Sequence, residues 1–277
     1  MILFLLLNLC LITSALDFPD IDSKVITPLG GHNVTTERLN QGFGVEFCLI
    51  GKTGITITQY ILCDVLREYK GIPYVPQYKR QLHYKNECRE HKNYRFIRGS
   101  TWARPTSEPV VRFTLVREPL DRFISLYGFV CKYRSECPAE IRNIHRFARW
   151  LYHKQKMALA GKRFPSERLE DILAHSWPQT SFCGLKDKMS DLTFVHHSTN
   201  RTKMQDEMMS VFDKAHVPAE VAKKALAHLT RSSTAHAGKS ESKRALLEEI
   251  KGNADTMRYI NAMYHEDFEF LKTHTFT

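Results

Sequence analysis

A lysine between two glycines, at the end of an apolar run, is the chemically richest feature of this chain. The stretch EFCLIGKTGITITQYIL, residues 46–62, reads as a strand, a tight turn and a helix. Gly51 and Gly54 allow a sharp turn and bring backbone amides close to an anion. A helix starting near Ile55 points the positive end of its dipole at the same place. Lys52 adds a mobile charge, and Thr53 and Thr56 add hydroxyl donors. Together these make a phosphate cradle. The Walker pattern G-x-x-x-x-G-K-[ST] is not met, because its first glycine falls on Glu46 inside a continuous apolar run. A carboxylate there would repel a triphosphate, which disfavours a nucleotide kinase.

A second motif, FTLVREPLDRFISLYGF, covers residues 113–129. It reads as a strand ending at Arg117, then Pro119, then a helix. Arg117, Pro119, Arg122, Ser125 and Tyr127 form R-x-P-x-x-R-x-x-S-x-Y. Proline in a first helical turn fixes the strand-to-helix transition. Arginine suits a site where a phosphate is gripped by a planar fork. Ser125, about two turns along the helix, can share that anion. The alternative is a salt-bridge network of Arg117 and Arg122 with Glu118 and Asp121.

Both motifs need strands to carry them. Apolar runs predict strands at residues 45–50, 110–116 and 192–195. Ile61, Leu62, Val65, Leu66 and Tyr69 make one helical stripe. Further helical patterns cover residues 124–130 and 142–160. Ser166 is placed to cap a helix running to Leu173, and Met257, Ile260, Tyr264, Phe268 and Leu271 mark a final amphipathic helix. Strands alternating with helices predict an α/β fold: a single domain with a central, mainly parallel sheet flanked by helices. Its ligands belong at the carboxyl ends of the strands, where both motifs lie.

The chain has 277 residues, seven cysteines and a net charge of +10. Residues 1–15, uncharged and apolar, read as a signal peptide, with a retained signal anchor as the alternative. Residues 16–41 read as a short leader and residues 42–277 as the domain. Entry into the secretory pathway gives Cys48, Cys63, Cys88, Cys131, Cys137 and Cys183 an oxidising surrounding. Six cysteines allow fifteen pairings, and spacing selects none, although Cys131 and Cys137 could close a short loop. No Cys/His spacing suits zinc, so no metal is expected. Asn33 and Asn200 stand in glycosylation triplets. In a secretory lumen the polyanion that suits a basic protein is an acidic glycan rather than nucleic acid. Contact with a membrane is expected only if residues 1–16 stay as an anchor.

The two motifs together resemble the nucleotide site of sulfotransferases that use 3′-phosphoadenosine 5′-phosphosulfate (PAPS). They look most like the Golgi carbohydrate sulfotransferases that include the chondroitin and HNK-1 enzymes. That family's first loop reads roughly P-K-x-[AG]-C-T-N-W-K; Lys52, Gly54 and Thr56 match it, and Cys48 matches a cysteine of the preceding strand. The second motif is matched by LVREPLDRFISLY. Fainter echoes are RFP at 163–165, HSW at 175–177, DLTFVHH at 191–197 and YHEDFEFL at 264–271. The departures are Gly51 for the proline, and Ile57 and Thr58 for asparagine and tryptophan.

The resemblance implies that Lys52, Thr53, Gly54, Ile55 and Thr56 hold the 5′-phosphosulfate end of PAPS, and Arg117 and Ser125 its 3′-phosphate. It implies sulfuryl transfer to a glycan hydroxyl without a metal, in the Golgi or secreted, with Lys52 stabilising the leaving oxygen. A secreted glycan-binding chain that kept the fold and lost the chemistry is the alternative. The acceptor hydroxyl needs a base; His83, between the two motifs, is the first choice, ahead of Glu87, His91 and His175. The segment at 232–240, with Gly238 and Lys239, could close over the 3′-phosphate. The basic stretches at 79–85 and 142–154 could track a polyanionic acceptor.

Overall fold

The computed structural model describes residues 26–30, 32–79, 81–83, 85–90, 99–164, 166–187, 189–234 and 240–273. Its sheet has four strands in the order β1-β2-β3-β4: β1 (Arg38–Gln41), β2 (Val45–Cys48), β3 (Val111–Val116) and β4 (Thr193–His196). β1 pairs antiparallel with β2, and β2–β3 and β3–β4 are parallel. The helices are α1 (Ile55–Tyr69), α2 (Glu87–Glu90), α3 (Pro119–Tyr127), α4 (Ile144–Leu159), α5 (Glu167–Ser176), α6 (Arg201–Lys214), α7 (Ala219–Leu226), α8 (His228–Arg231), α9 (Ser240–Lys251) and α10 (Ala254–Thr273). A π-helical turn, Gly128–Tyr133, follows α3 directly. This is a single α/β domain with a mostly parallel sheet.

The apolar runs at β2 and β3 are buried because helices cover them. Phe47 and Phe113, register partners on adjacent strands, stack at 4.9 Å. They join Ile61, Leu62 and Val65 of α1 and Val211 and Phe212 of α6 in one core. A second core is made by helices: Phe123 of α3, Phe147 and Leu151 of α4, Ile172 of α5, and Ile260 and Met263 of α10. A third, smaller group joins Cys48 and Ile50 to Trp177, Phe182 and Leu185. It fastens the end of β2 to the segment after α5.

Helix starts follow local chemistry. Asn143 caps α4 through the amides of His145 and Arg146, Ser166 caps α5 through Leu169, and Asn200 caps α6 through Lys203. The stretch read as a leader contributes structure from Thr27 onward. Thr27 bonds the Tyr152 hydroxyl, the Leu29 amide donates to Ala262 at 2.9 Å, and residues 38–41 form the edge strand. Residues 1–25, His91 and the Gly238–Lys239 pair lie outside the described residues. Among the described residues no helix is long and apolar enough to cross a membrane.

The six cysteines pair as Cys48–Cys183, Cys63–Cys88 and Cys131–Cys137. The first joins residues 135 apart and the last residues 6 apart. On a chain-entropy account, replacing Cys48 and Cys183 together by serine costs roughly 3–5 kcal/mol, and replacing Cys131 and Cys137 about 2 kcal/mol. Urea unfolding of the two double variants should give that ranking.

Candidate active site

After β2 the chain turns through residues 51–54 into α1. Lys52 and Gly54 both take left-handed backbone, with φ of 68° and 102°. Glycine accepts this freely, whereas a lysine is held there only by its surroundings. Two arginines from the second motif supply them. Arg117 donates from Nη1 to the Lys52 carbonyl at 3.1 Å, and Arg122 donates from Nε to the Gly51 carbonyl at 2.9 Å. No side chain caps α1 at Gly54, so its first amides stay available to an anion.

Arg122 is 2 % exposed and also donates to the carbonyls of Trp177 (2.8 Å) and His175 (3.1 Å). The salt-bridge network of Arg117 and Arg122 with Glu118 and Asp121, an alternative raised from sequence, is not seen among the described residues; the hydrogen bonds of Arg122 go to three backbone oxygens. Gln179 fixes Arg117 from behind. Its Oε1 accepts from the Arg117 amide at 2.8 Å, and its Nε2 donates to the Arg117 carbonyl at 2.7 Å. Asp267 of α10, fully buried, accepts from the amides of Gln179 and Thr180 at 2.8 and 3.0 Å. The terminal helix thus reaches the end of β3 through one glutamine. Burial raises the Asp267 carboxyl, while Arg122 and these hydrogen bonds pull it back.

Cations gather at the strand ends. Burial, then Arg117, Arg122 and Arg134, bring Lys52 down to about 7, with Asp171 opposing. Lys52 Nζ rests 3.5 Å from the centre of the Phe129 ring. Arg117 is brought down to about 10 by burial, with Asp121 opposing and Arg201 and Arg122 adding to the fall. Its Nε is buried with no hydrogen-bond partner among the described residues. Lys243 of α9 is lowered by burial and by Arg117 and Arg201. His197 is pushed well down by burial, Arg117, Arg201 and Lys243. Arg117, Arg201 and Lys243 therefore form one cationic group against a neutral His197, drawn from the ends of β3 and β4 and from α6 and α9.

Both loop glycines are needed for close approach. An added Cβ at Gly51 would fall 2.8 Å from His175 Nδ1, and one at Gly54 would fall 2.6 Å from His197 Cδ2. The substitution of glycine for the proline expected at 51 therefore makes room for a histidine ring.

The sequence-derived residues are placed as follows. Lys52 and Gly54 lie in the loop just described, and Arg117 bonds it from the end of β3. Thr53 is fully buried, and its hydroxyl donates to the Ile50 carbonyl at 2.8 Å, so that side chain braces the turn. Ile55 and Thr56 open α1 and are half-buried, Ile55 against the first core. Ser125 is half-buried on α3, and its hydroxyl has no protein partner among the described residues. His83 is exposed beside Leu82, whose backbone pairs with Thr234, and no described interaction joins it to Lys52. Glu87 is committed to Arg67.

The family model described as Sulfotransferase family matches residues 40–272. The chain belongs to the Sulfotransferase family. No match is found among curated proteins or solved structures. The matched span begins within β1 and ends within α10, so it includes both arginines, the glycine loop and Asp267. Sulfuryl transfer is the general chemistry of this family, and PAPS is the donor that the family implies in general.

Sequence reasoning missed Arg201, Lys243 and His197 as members of one group. Asn200-Arg201 was read as part of a glycosylation triplet; the structure makes Asn200 a helix cap and Arg201 the first residue of α6. Asn-Arg-Thr a few residues after the apolar run at 192–195 was the available signal, since a cation there meets the carboxyl end of the sheet.

Two outcomes are expected. Gly54→Ala puts an alanine at φ near 100° against His197 and should cost about 1–3 kcal/mol in urea unfolding. His175 has a folded value near 4, against about 6.5 when unfolded. The folded state then binds fewer protons between these values, so stability falls as pH drops from about 6.5 to 4. Melting curves across that range should show the fall, and His175→Gln should flatten it.

Proposed function

We propose that this chain is a PAPS-dependent carbohydrate sulfotransferase of the secretory pathway, acting on a hydroxyl of an acidic glycan. One observation carries the reading. Two cationic centres, Lys52 and the Arg117–Arg201–Lys243 group, stand at neighbouring strand ends and are joined by the Arg117 bond to the Lys52 carbonyl. A ligand with an anion at each end suits such a pair, and PAPS has a 3′-phosphate at one end and a 5′-phosphosulfate at the other. Arg117, whose Nε has no partner among the described residues, would hold the 3′-phosphate with Arg201, Lys243 and Ser125. Lys52, Gly54 and the first amides of α1 would hold the phosphosulfate.

Glu46 supports this against a triphosphate reading. It pairs with Arg38 at 3.1 Å and Arg112 at 3.5 Å within the sheet, so no long glycine arch precedes Lys52. During transfer, charge builds on the oxygen that leaves sulfur, and Lys52 is the cation set to neutralise it. Three disulfides are compatible with an oxidising compartment. Arg146, Arg149 and Lys156 on the exposed face of α4, with Arg142 just before it, favour a polyanionic acceptor, as of the chondroitin type.

Calorimetric titration with 3′,5′-adenosine bisphosphate, with Mg-ATP in parallel, tests the nucleotide site. The bisphosphate should bind and ATP should not, and Arg117→Ala should weaken binding about 10- to 100-fold, the worth of a charged hydrogen bond. An anion at Lys52 raises its proton affinity. Binding at pH 8 should therefore take up protons, visible as a heat that depends on the buffer, and affinity should fall as pH rises above about 7. Equal binding of ATP, or none of the bisphosphate, would sink the proposal.

A further inference from the structure

We infer that His175, beside Asp171 on α5, is the base that takes the proton of the acceptor hydroxyl; the inference rests on the sulfuryl-transfer reading above. His175 and Asp171 are four residues apart on α5, and Nε2 faces Asp171 Oδ1 at 3.6 Å. That leaves Nδ1 turned to the glycine loop, 2.8 Å from the point where a Gly51 Cβ would stand. At that distance Asp171 acts on the ring through its charge, which favours the tautomer with the proton on Nε2 and the lone pair on Nδ1, the arrangement a general base needs.

The ring is also reachable, since 34 % of the side chain is exposed. Phe129 touches both chemical groups. Its ring meets His175 edge-on at 5.8 Å and carries Lys52 Nζ at 3.5 Å on its face. Base and leaving-group cation therefore flank one spot at the carboxyl end of β2. The other histidine against the loop, His197, sits among Arg117, Arg201 and Lys243, on the side suited to an anion.

The step balances. The hydroxyl proton passes to Nδ1, the oxygen's electron pair forms the new O–S bond, and the S–O bond to the nucleotide breaks. Its electron pair stays on the leaving phosphate oxygen beside Lys52. The groups that face His175 are Asp171 from α5, Lys52 from the loop, Arg122 from α3 and Arg134 from the segment after the π-turn, the last also paired with Glu136 at 2.7 Å. Burial and the three cations bring the imidazole down to about 4, with Asp171 opposing, so it is neutral at working pH. Anionic donor bound at Lys52 offsets those cations and makes Nδ1 more basic when it is needed.

The test compares the full-length wild type with His175→Gln, His175→Gly and Asp171→Asn. Affinity for 3′,5′-adenosine bisphosphate is read by calorimetry. Release of label from ³⁵S-PAPS is read with desulfated chondroitin, desulfated heparin, or water alone as acceptor. His175→Gln should bind the bisphosphate within about threefold of wild type and transfer about 100-fold slower or more, the usual weight of a general base. Added imidazole should restore part of the rate in His175→Gly, which loss of a merely structural ring would not allow. Asp171→Asn removes the group that raises the imidazole, so its acid limb should move to lower pH.

Near-normal transfer by His175→Gln overturns the inference. So does loss of bisphosphate binding in a folded His175→Gln, or absence of imidazole rescue. A wild type that binds the bisphosphate but transfers to neither glycan nor water overturns the base and leaves the nucleotide site standing. A wild type that does not bind it fails at the earlier reading.

Discussion

Everything at the strand ends depends on one buried guanidinium. Arg122 is removed from water and answered by the carbonyl oxygens of Gly51, His175 and Trp177. A buried charge without partners would cost several kcal/mol, and three charge-assisted hydrogen bonds offset that cost. Burial lowers its proton affinity, while Tyr264 and Asp267 raise it. A lysine could not replace it, because an ammonium on a flexible stem lacks the planar fork that reaches oxygens on two separate segments. The bonds also set a distance. They hold the turn after β2 and the end of α5 to the same rigid plane, so Lys52 and His175 keep their spacing.

Around this hub the protein tolerates a concentration of like charge that folding alone would not favour. Beyond burial, Arg117, Arg122 and Arg134 lower Lys52, Arg201 and Arg122 lower Arg117, and Arg117 and Arg201 lower Lys243, with Asp121 and Asp171 as the opposing carboxylates. The cost is met by rigid supports at the rear: Gln179 clasps Arg117, and Asp267 clasps Gln179. Such an arrangement is strained toward an anion, which relieves the repulsion when it arrives.

Much of this was legible in the sequence. β2, β3, α1 and α3 could be read because apolar runs, glycines and a proline mark them locally. The same signals exposed Lys52 and Arg117. β1 could not be read: Arg-Leu-Asn-Gln has no apolar alternation, and pairing with β2 alone makes it a strand. Helix α6 is largely polar, and it forms because residues such as Met208 and Phe212 bury one narrow stripe. Thr53 looked like an anion donor because its type suits that role, and only the backbone angles around it reveal that it points inward. His175 could be named only as one of several histidines, since nothing local links it to Gly51, 124 positions earlier in the numbering. Disulfide pairing was hidden for the same reason: it is a property of tertiary proximity.

The covalent topology has a further meaning. The Cys48–Cys183 bond closes a ring that contains the glycine loop, both arginines and His175, with the two smaller disulfides inside it. Val75, 83 % exposed, lies on this ring. A protease cutting there would sever the backbone without releasing either piece. The nicked protein would remain one molecule until it was reduced, with the halves of its site still bound together.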